Sequence, residues 1–279
     1  MLNVFDRTCN LVNQDGEIVT LLGAGMGMNP IAVLLEDAGP APFRKVAADA
    51  PVLVRRDRLT LNGLQVQLEG PESWNPCPDW PAVRQALRAD ATLLNRIGKW
   101  SPETAPAGSL LDQWSIGSRP EPSDADMPSC QAAFLDRVRR CGSQLVQGLT
   151  ASSPEVALIG ARGLAGLGGG LTPAGDDFIV GALLAAWAGL HGPEAVEICP
   201  AIAEASAPHT TSLSAAYLRA AARGECMERW HRLFAAICMP DEDQLRLGIG
   251  DLMAVGHTSG ADALAGFLAS SGSTLPAAQ

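Results

Sequence analysis

The strongest chemical signal in the sequence is a glycine-rich segment that runs straight into an apolar helix. Six glycines fall within residues 163–175, and two adjacent aspartates, Asp176 and Asp177, follow them. Glycine adopts positive φ values without steric cost and lets the backbone approach a ligand closely. The first amides of a helix have no partner within the helix, so a helix that starts here can bind an anion. We predict that the anion is held by Gly168, Gly169, Gly170 and Thr172, with Thr172 as the N-cap and Pro173 as the first helical residue.

The two aspartates add an electrostatic difficulty to this predicted anion site. Asp176 and Asp177 would repel a phosphate or a carboxylate unless a proton or a cation lies between them. Mg²⁺ suits oxygen ligands, takes one or two protein carboxylates and completes its shell with water and phosphate oxygens. We therefore predict that Asp176, Asp177 and Asp262 bind Mg²⁺, and that Asp176 and Asp177 are also catalytic. The alternative is that aspartates in a first turn only complement the helix dipole.

Two later helix starts, in residues 208–214 and 256–262, carry more small polar side chains than capping requires. One hydroxyl can cap a helix, and the others can hydrogen-bond a small polar substrate. Runs of Ser and Thr are also common at helix starts that bind nothing, so that alternative stays open. The hydroxyls that we predict to bind substrate are those of Thr210, Thr211, Ser212, Thr258 and Ser259.

The last of these segments resembles the first in its spacing. Placing Gly175 on Gly260 aligns Asp177 with Asp262, and both segments then share the pattern G-x-D-x-x-x-G-x-L. Two such helices that met would bring both acids to one pocket. Chance similarity between helices rich in alanine and glycine is the alternative. His257 lies between small polar residues here, and we predict it as a catalytic acid or base because imidazole titrates near neutral pH.

Several familiar catalytic motifs are missing from the sequence. The glycine-rich segment fits neither the GxGxxG pattern nor a Gly-Lys-Ser/Thr phosphate loop. The sequence also lacks the GxSxG and HExxH patterns, so serine hydrolase and zinc protease chemistry find no support.

The elements that must position these residues differ between the two ends of the chain. Residues 1–75 show short alternating strands with turns at Asp15-Gly16 and Asn62-Gly63, which predicts a small β-barrel or sandwich. From residue 76 to 279 the apolar residues recur three and four apart, which is typical of helices. Residues 101–128 are rich in Pro, Ser, Asp and Gly and are predicted to form a loop or lid. The predicted fold class is α+β, with a β-rich module followed by a mostly helical region.

Composition excludes several classes of protein. The chain has 20 Lys+Arg against 30 Asp+Glu, a net charge of −10, and 47% hydrophobic residues. Such a chain can bury a hydrophobic core. It lacks the excess of basic residues with which proteins bind nucleic acids or anionic membranes. Seven scattered cysteines indicate free thiols in a reducing compartment. Because the first residues do not read as a secretion signal and the longest apolar run is short for a membrane span, we expect a cytoplasmic protein.

The run GGGLTPAGDDF at residues 168–178, with the polar helix starts at 210–212 and 256–262, resembles the AllH-type (YlbF-like) family. The β-rich start and helical remainder agree with that family. The resemblance implies a subunit of an oxamate carbamoyltransferase, which interconverts oxalurate plus phosphate with oxamate plus carbamoyl phosphate in allantoin and purine breakdown. It also implies FdrA-like and AllG-like partner subunits.

The chemistry of the residues is compatible with carbamoyl transfer. That reaction needs a cradle for anionic oxygens and well-placed hydrogen-bond donors, with little covalent work by the protein. Arginines are the usual ligands of carbamoyl phosphate in carbamoyltransferases, and only Arg162 lies near these motifs. Two alternatives therefore remain beside a catalytic subunit. One is an assembly or regulatory subunit that binds an anion, and the other is a stand-alone Mg²⁺-dependent hydrolase.

Overall fold

The structure is a computed structural model that describes residues 1–36, 38–115, 129–239 and 241–271. The chain divides into two compact units, Met1–Pro76 and Cys77–Gln279. The first unit contains the described strands, and the second contains the described helices. The α+β fold class predicted from the sequence is confirmed.

The first unit is built from two small sheets rather than a closed barrel. In the four-stranded sheet the strands run in the order β1-β2-β3-β4, and β3 and β4 are parallel while the other pairs are antiparallel. The three-stranded sheet is antiparallel, and Asn62 and Gly63 form the predicted two-residue turn with positive φ at both positions. The strands are β1 Asn3–Val4, β2 Thr8–Val12, β3 Ile18–Leu22, β4 Ala32–Leu34, β5 Val52–Val54, β6 Arg58–Leu61 and β7 Leu64–Gln67.

The second unit is a helical assembly with one contiguous apolar core. Aromatic side chains from three of its helices, Trp80, Trp230, Phe234 and Phe267 among them, meet in that core. The helices are α1 Trp80–Ala89, α2 Leu93–Thr104, α3 Leu110–Ser115, α4 Ser129–Thr150, α5 Pro154–Leu164, α6 Ala174–Trp187, α7 Ala195–Ser206, α8 Ser212–Ala222, α9 Glu228–Ile237, α10 Glu242–Met253 and α11 Ser259–Ala269.

The loop predicted over residues 101–128 is partly wrong. Helix α2 continues to Thr104, and α3 occupies Leu110–Ser115. Burial of Trp100 and Ser101 against the core outweighs the unfavourable Pro102 in the last turn of α2. Residues 116–128, the rest of the predicted loop, lie outside the described residues.

Helices α6 and α11 form the centre of the helical unit and are buried along most of their length. Each carries a glycine where the backbone of the other passes. A β-carbon on Gly181 would overlap the Ala263 carbonyl oxygen, and one on Gly266 would overlap the Phe178 carbonyl oxygen. Phe178 and Ala263 each lie three residues before the glycine of their own helix. The contact is therefore reciprocal, as in a local two-fold relation between the helices.

The turns that lead into these two helices have the same hydrogen-bond pattern. Before α6, the Leu167 amide donates to the Leu164 carbonyl (2.9 Å), and the Gly175 amide donates to the Leu167 carbonyl (2.8 Å). The matching bonds before α11 run from Val255 to Leu252 (3.0 Å) and from Gly260 to Val255 (3.3 Å). The shared sequence spacing therefore has a structural counterpart in two helix–turn–helix halves, α5–α6 and α10–α11.

None of the helices in the described ranges is both long enough and apolar enough to cross a membrane.

Candidate functional site

Three helix starts meet at the end of the glycine-rich segment. The Thr172 hydroxyl lies 2.9 Å from the Ser259 hydroxyl, which joins the starts of α6 and α11. The Thr211 hydroxyl donates to the Leu171 carbonyl oxygen (2.6 Å), which joins α8 to the same segment. We call this meeting point, with the aspartates Asp176, Asp177 and Asp262 that face it, the helix-start cluster. The structure thus brings together residues from all three polar segments singled out in the sequence.

Asp176 ties the glycine-rich segment to α8. It is fully buried, and its Oδ1 accepts a hydrogen bond from the Gly166 amide (3.0 Å). Its Oδ2 accepts from the hydroxyls of Thr210 and Ser214, the latter at 3.0 Å. Burial raises the pKa of this carboxyl, although the three hydrogen bonds favour its charged form. Since protein donors occupy both oxygens, the geometry gives Asp176 a structural role, and its catalytic role stays a prediction.

Asp177 is placed differently from its neighbour. Its Oδ2 is buried and has no hydrogen-bond partner within the described residues. The hydroxyls of Ser259 and Thr172 favour the charged form, whereas the charges of Asp262 and Asp176 oppose it. Burial is the largest influence and raises the pKa of Asp177 well above its usual value. Asp177 therefore presents an unused acceptor between the starts of α6 and α11.

Asp262 is the counterpart of Asp177 on α11 and is also buried. Its Oδ1 accepts a hydrogen bond from the Leu110 amide at the start of α3 (2.7 Å), and the Thr258 hydroxyl also favours its charged form. Burial outweighs both and raises the pKa of Asp262 to about 6. Asp262 thus anchors α3 to the cluster.

The glycine-rich loop approaches the start of α6 closely. A β-carbon on Gly168 would lie 2.9 Å from the Ala174 nitrogen, and Gly168 and Gly170 have φ values of +119° and +89°. Residues 168–170 are exposed, and their amides donate to no protein atom of the described chain. These amides are not engaged by the described protein, and their predicted binding of an anion stays a prediction.

The predicted capping of α6 is wrong. The helix begins at Ala174, Pro173 occupies the N-cap position, and the Thr172 hydroxyl bonds to Ser259 instead of to the helix. The Gly175 amide donates to the Leu167 carbonyl, and the next two amides bond to the Pro173 carbonyl. Proline cannot cap with its side chain, so the folded-back loop supplies an acceptor. The amides of residues 175–177 are therefore engaged within the protein, whereas those of residues 168–170 in the loop are not.

The described residues contain no group of three or more His, Cys, Asp and Glu side chains arranged to hold a metal ion. Asp176 faces Gly166, Thr210 and Ser214, while Asp177 faces the start of α11. The three aspartates therefore do not form one preorganised set of Mg²⁺ ligands, and the Mg²⁺ site stays a prediction.

Two predicted site residues make no described contact with the cluster. The His257 ring is exposed in the turn before α11, and the Ser212 side chain is exposed at the first position of α8. Thr211, the residue before Ser212, caps α8 by accepting from the Ser214 amide (3.0 Å). The roles predicted for His257 and Ser212 stay predictions.

Sequence reasoning missed two side chains of the cluster. Ser214 bonds to Asp176, and Tyr217 lies close enough to Asp177 for that charge to act on it. Burial and, second, Asp177 raise the pKa of Tyr217 to about 12. Ser214 stood in the polar run before α8, and Tyr217 is the one tyrosine of the chain, one turn further along that helix. These two features of the sequence could have identified both residues as site candidates.

Comparison with known families gives two matches that together span most of the chain. Residues 164–271, which contain the glycine-rich segment and all three helix starts, match the family described as oxamate carbamoyltransferase subunit AllH. Residues 2–73 match the AllH family N-terminal domain. No solved structure matches the chain. These two matches lead to one conclusion: the chain belongs to the AllH family of oxamate carbamoyltransferase subunits.

Proposed function

We propose that the chain works in a cytoplasmic complex that interconverts oxalurate plus phosphate with oxamate plus carbamoyl phosphate. The family description makes it a subunit, so it assembles with other chains. FdrA-like and AllG-like proteins are the partners we propose, and allantoin and purine degradation is the pathway. The helix-start cluster and the loop at 168–170 are the proposed substrate site.

The reaction defines what such a site must provide. A phosphate oxygen attacks the carbamoyl carbon of oxalurate, and the bond from that carbon to the oxamate nitrogen breaks. The released nitrogen takes a proton, which gives oxamate and carbamoyl phosphate. Anionic oxygens need hydrogen-bond donors, and the amide N–H groups need acceptors, so positioning and electrostatics carry most of the catalysis.

One observation carries the proposal: unused donors and an unused acceptor lie at the same helix start. The amides of residues 168–170 have no described protein acceptor, and Gly168 is folded against Ala174. Three residues beyond Ala174, Asp177 offers its unpartnered Oδ2. A substrate with an anionic end and an amide end matches this arrangement.

The charge of the cluster supports the need for partners. None of the hydrogen bonds or ion pairs described for Asp176, Asp177 and Asp262 involves an arginine, lysine or histidine. Three carboxyls without a cation would repel phosphate. Backbone amides alone offset part of that charge, so we propose that a partner subunit supplies cationic side chains for phosphate.

The test is phosphate-dependent cleavage of oxalurate by the complex purified after co-expression with the proposed partners. We expect activity with the wild-type chain and a loss of at least about tenfold with Asp177→Asn, the size of effect that one strong hydrogen bond supplies. Arg246→Gln, which changes an exposed arginine stacked on Trp100, is the control variant and should keep wild-type activity. A complex that never cleaves oxalurate would contradict the proposed reaction.

A second candidate is an assembly subunit that binds an anion without catalysing the reaction. The internal bonding of Asp176 favours it, because a carboxyl engaged by three protein donors stabilises structure without touching substrate. Full activity of complexes that carry Asp176→Asn and Asp177→Asn together would select this candidate over the catalytic one.

A further inference from the structure

The Asp177 carboxyl has two unequal oxygens. The residue is 9% exposed, and its Oδ2 is buried without a hydrogen-bond partner among the described residues. The Ser259 and Thr172 hydroxyls favour the charged form of the carboxyl. A buried acceptor without a donor is costly, so its persistence needs an explanation. A ligand that donates a hydrogen bond is the explanation that fits a position between two helix starts.

The surroundings of Oδ2 restrict what that ligand can be. Asp262 and Asp176 place negative charge beside Asp177, and they face it from α11 and from its own helix. A carboxylate would meet repulsion there and would bring no N–H or O–H to donate, and a phosphate anion would meet the same repulsion. An uncharged primary amide brings two N–H donors without negative charge.

We propose that Asp177 determines specificity by accepting a hydrogen bond from the primary amide of the substrate, so that the amide end lies at Asp177 and the anionic end at residues 168–170. This inference rests on the proposed function, because oxamate, one of the compounds of that reaction, supplies such an amide. A site built to hydrogen-bond an N–H group rejects an analogue that lacks it. Oxalate, which has a carboxylate in place of the amide of oxamate, is the isosteric analogue to compare.

The experiment measures binding of oxamate and oxalate to the purified complex by calorimetry at pH 7.5. We expect the wild type to bind oxamate at least about tenfold more tightly than oxalate. Asp177→Asn removes the negative charge and adds an N–H donor at this position. That variant should lose the preference or reverse it, because its amide can donate a hydrogen bond to a carboxylate.

Asp243→Asn is the matched control, since it makes the same change at an exposed position in the first turn of α10, outside the helix-start cluster. We expect it to keep the preference for oxamate. Circular dichroism would check that both variants are folded. An unchanged preference in folded Asp177→Asn would overturn the inference, as would an equal loss of the preference in Asp243→Asn.

Activity separates this inference from the proposed function. A complex that cleaves oxalurate but binds oxamate and oxalate equally would overturn the inference and leave the reaction standing. A complex that shows an Asp177-dependent preference for oxamate without carbamoyl transfer would support the inference and overturn the proposed reaction. Failure to bind either compound would overturn both.

Discussion

The two helix–turn–helix halves of the helical unit share a scaffold and differ where chemistry is proposed. In the half formed by α5 and α6, Gly175 bonds to the carbonyl of Leu167, eight residues earlier; in the half formed by α10 and α11, Gly260 bonds to the carbonyl of Val255, five residues earlier. The same turn therefore carries three additional residues in the first half, and they lie in the glycine-rich loop. The first half also has Asp176 where the second half has Ala261. The comparison shows that similar packing supports a glycine-rich loop on one side and a short turn on the other.

The largest expected effect comes from breaking the feature that the halves share. We expect Gly181→Val and Gly266→Val each to destabilise the protein by more than about 4 kcal/mol, because the added atoms would overlap backbone that cannot move aside. Urea unfolding and the yield of soluble protein would measure it. Gly250→Ala in α10 is the control, since its β-carbon would meet no atom within 4 Å and should change stability by about 1 kcal/mol or less. Strongly unequal effects at the two crossing glycines would contradict the reciprocal contact.

The next effect concerns the aspartate that only the first half has. We expect Asp176→Ala to cost about 2–4 kcal/mol of unfolding free energy, because it leaves the Gly166 amide and two hydroxyls without their acceptor. Ala261→Asp should also destabilise, since it would bury a carboxyl in the half where no such donors are described. Chemical denaturation of both variants is the measurement. A stable Ala261→Asp protein would show that the two halves are more alike than their contacts indicate.

The pH dependence of stability compares the equivalent acids of the two halves. The folded-state pKa of Asp262 is raised from 3.8 to about 6, so its contribution is fully present below pH 4 and is lost as pH rises through 6. Asp262→Asn keeps an oxygen for the Leu110 amide but cannot ionise. Relative to wild type, it should gain stability between pH 4 and 7, by on the order of 3 kcal/mol at most. Asp177→Asn should also gain stability relative to wild type as the pH rises. Thermal melts between pH 4 and 7 are the measurement. If the variants and the wild type kept the same difference in melting temperature across this range, the two carboxyls would be solvated and the prediction would be wrong.

A smaller effect on stability is expected in the loop that distinguishes the first half. Gly169 is exposed and a β-carbon there would meet nothing within 4 Å, so Gly169→Val should change the unfolding free energy by less than about 1 kcal/mol. Oxalurate cleavage by the complex should nevertheless fall, because the side chain would obstruct the free amides. Normal activity, or a large fall in melting temperature without ligand, would each contradict the assignment.

The smallest effect on stability is expected in the corresponding turn of the second half. His257 is exposed, so His257→Ala should leave the melting temperature within about 1 °C of wild type. The predicted role of His257 as an acid or base requires that the activity of the complex fall near neutral pH. An unchanged pH–activity profile would contradict that role.

Local patterns in the sequence predicted elements better than they predicted contacts. The α+β class and the Asn62-Gly63 turn are confirmed, because alternation, helical periodicity and turn residues are properties of neighbouring residues. The start of α6 was predicted with the wrong cap, since a loop that folds back onto Gly175 cannot be read from Thr172 and Pro173 alone. The loop prediction failed at α2 because burial of Trp100 overrides the local preference of Pro102.

In the candidate site, too, the residue types could be predicted from the sequence, whereas their contacts could not. Its acids and hydroxyls were predicted by type, yet which oxygen remains unused depends on distant partners: Ser214 lies 38 residues from Asp176, and Leu110 lies 152 residues from Asp262. Such pairings depend on tertiary packing rather than on spacing along the chain. The family resemblance, which the family matches confirm, was carried by the contiguous motif at residues 168–178 together with the polar helix starts at 210–212 and 256–262.

The crossing of α6 and α11 also limits how this protein can evolve. Gly181 and Gly266 are faced by carbonyl groups of the opposite helix, and every residue type has a backbone carbonyl. A larger residue at either glycine therefore cannot be rescued by shrinking its neighbour, as it often can in a side-chain core. The turn before α6 shares this restriction only in part: a β-carbon on Gly166 would overlap the His209 carbonyl oxygen, whereas one on Gly169 would meet nothing within 4 Å. Substitutions can thus accumulate around Gly169 while the crossing beneath it stays the same.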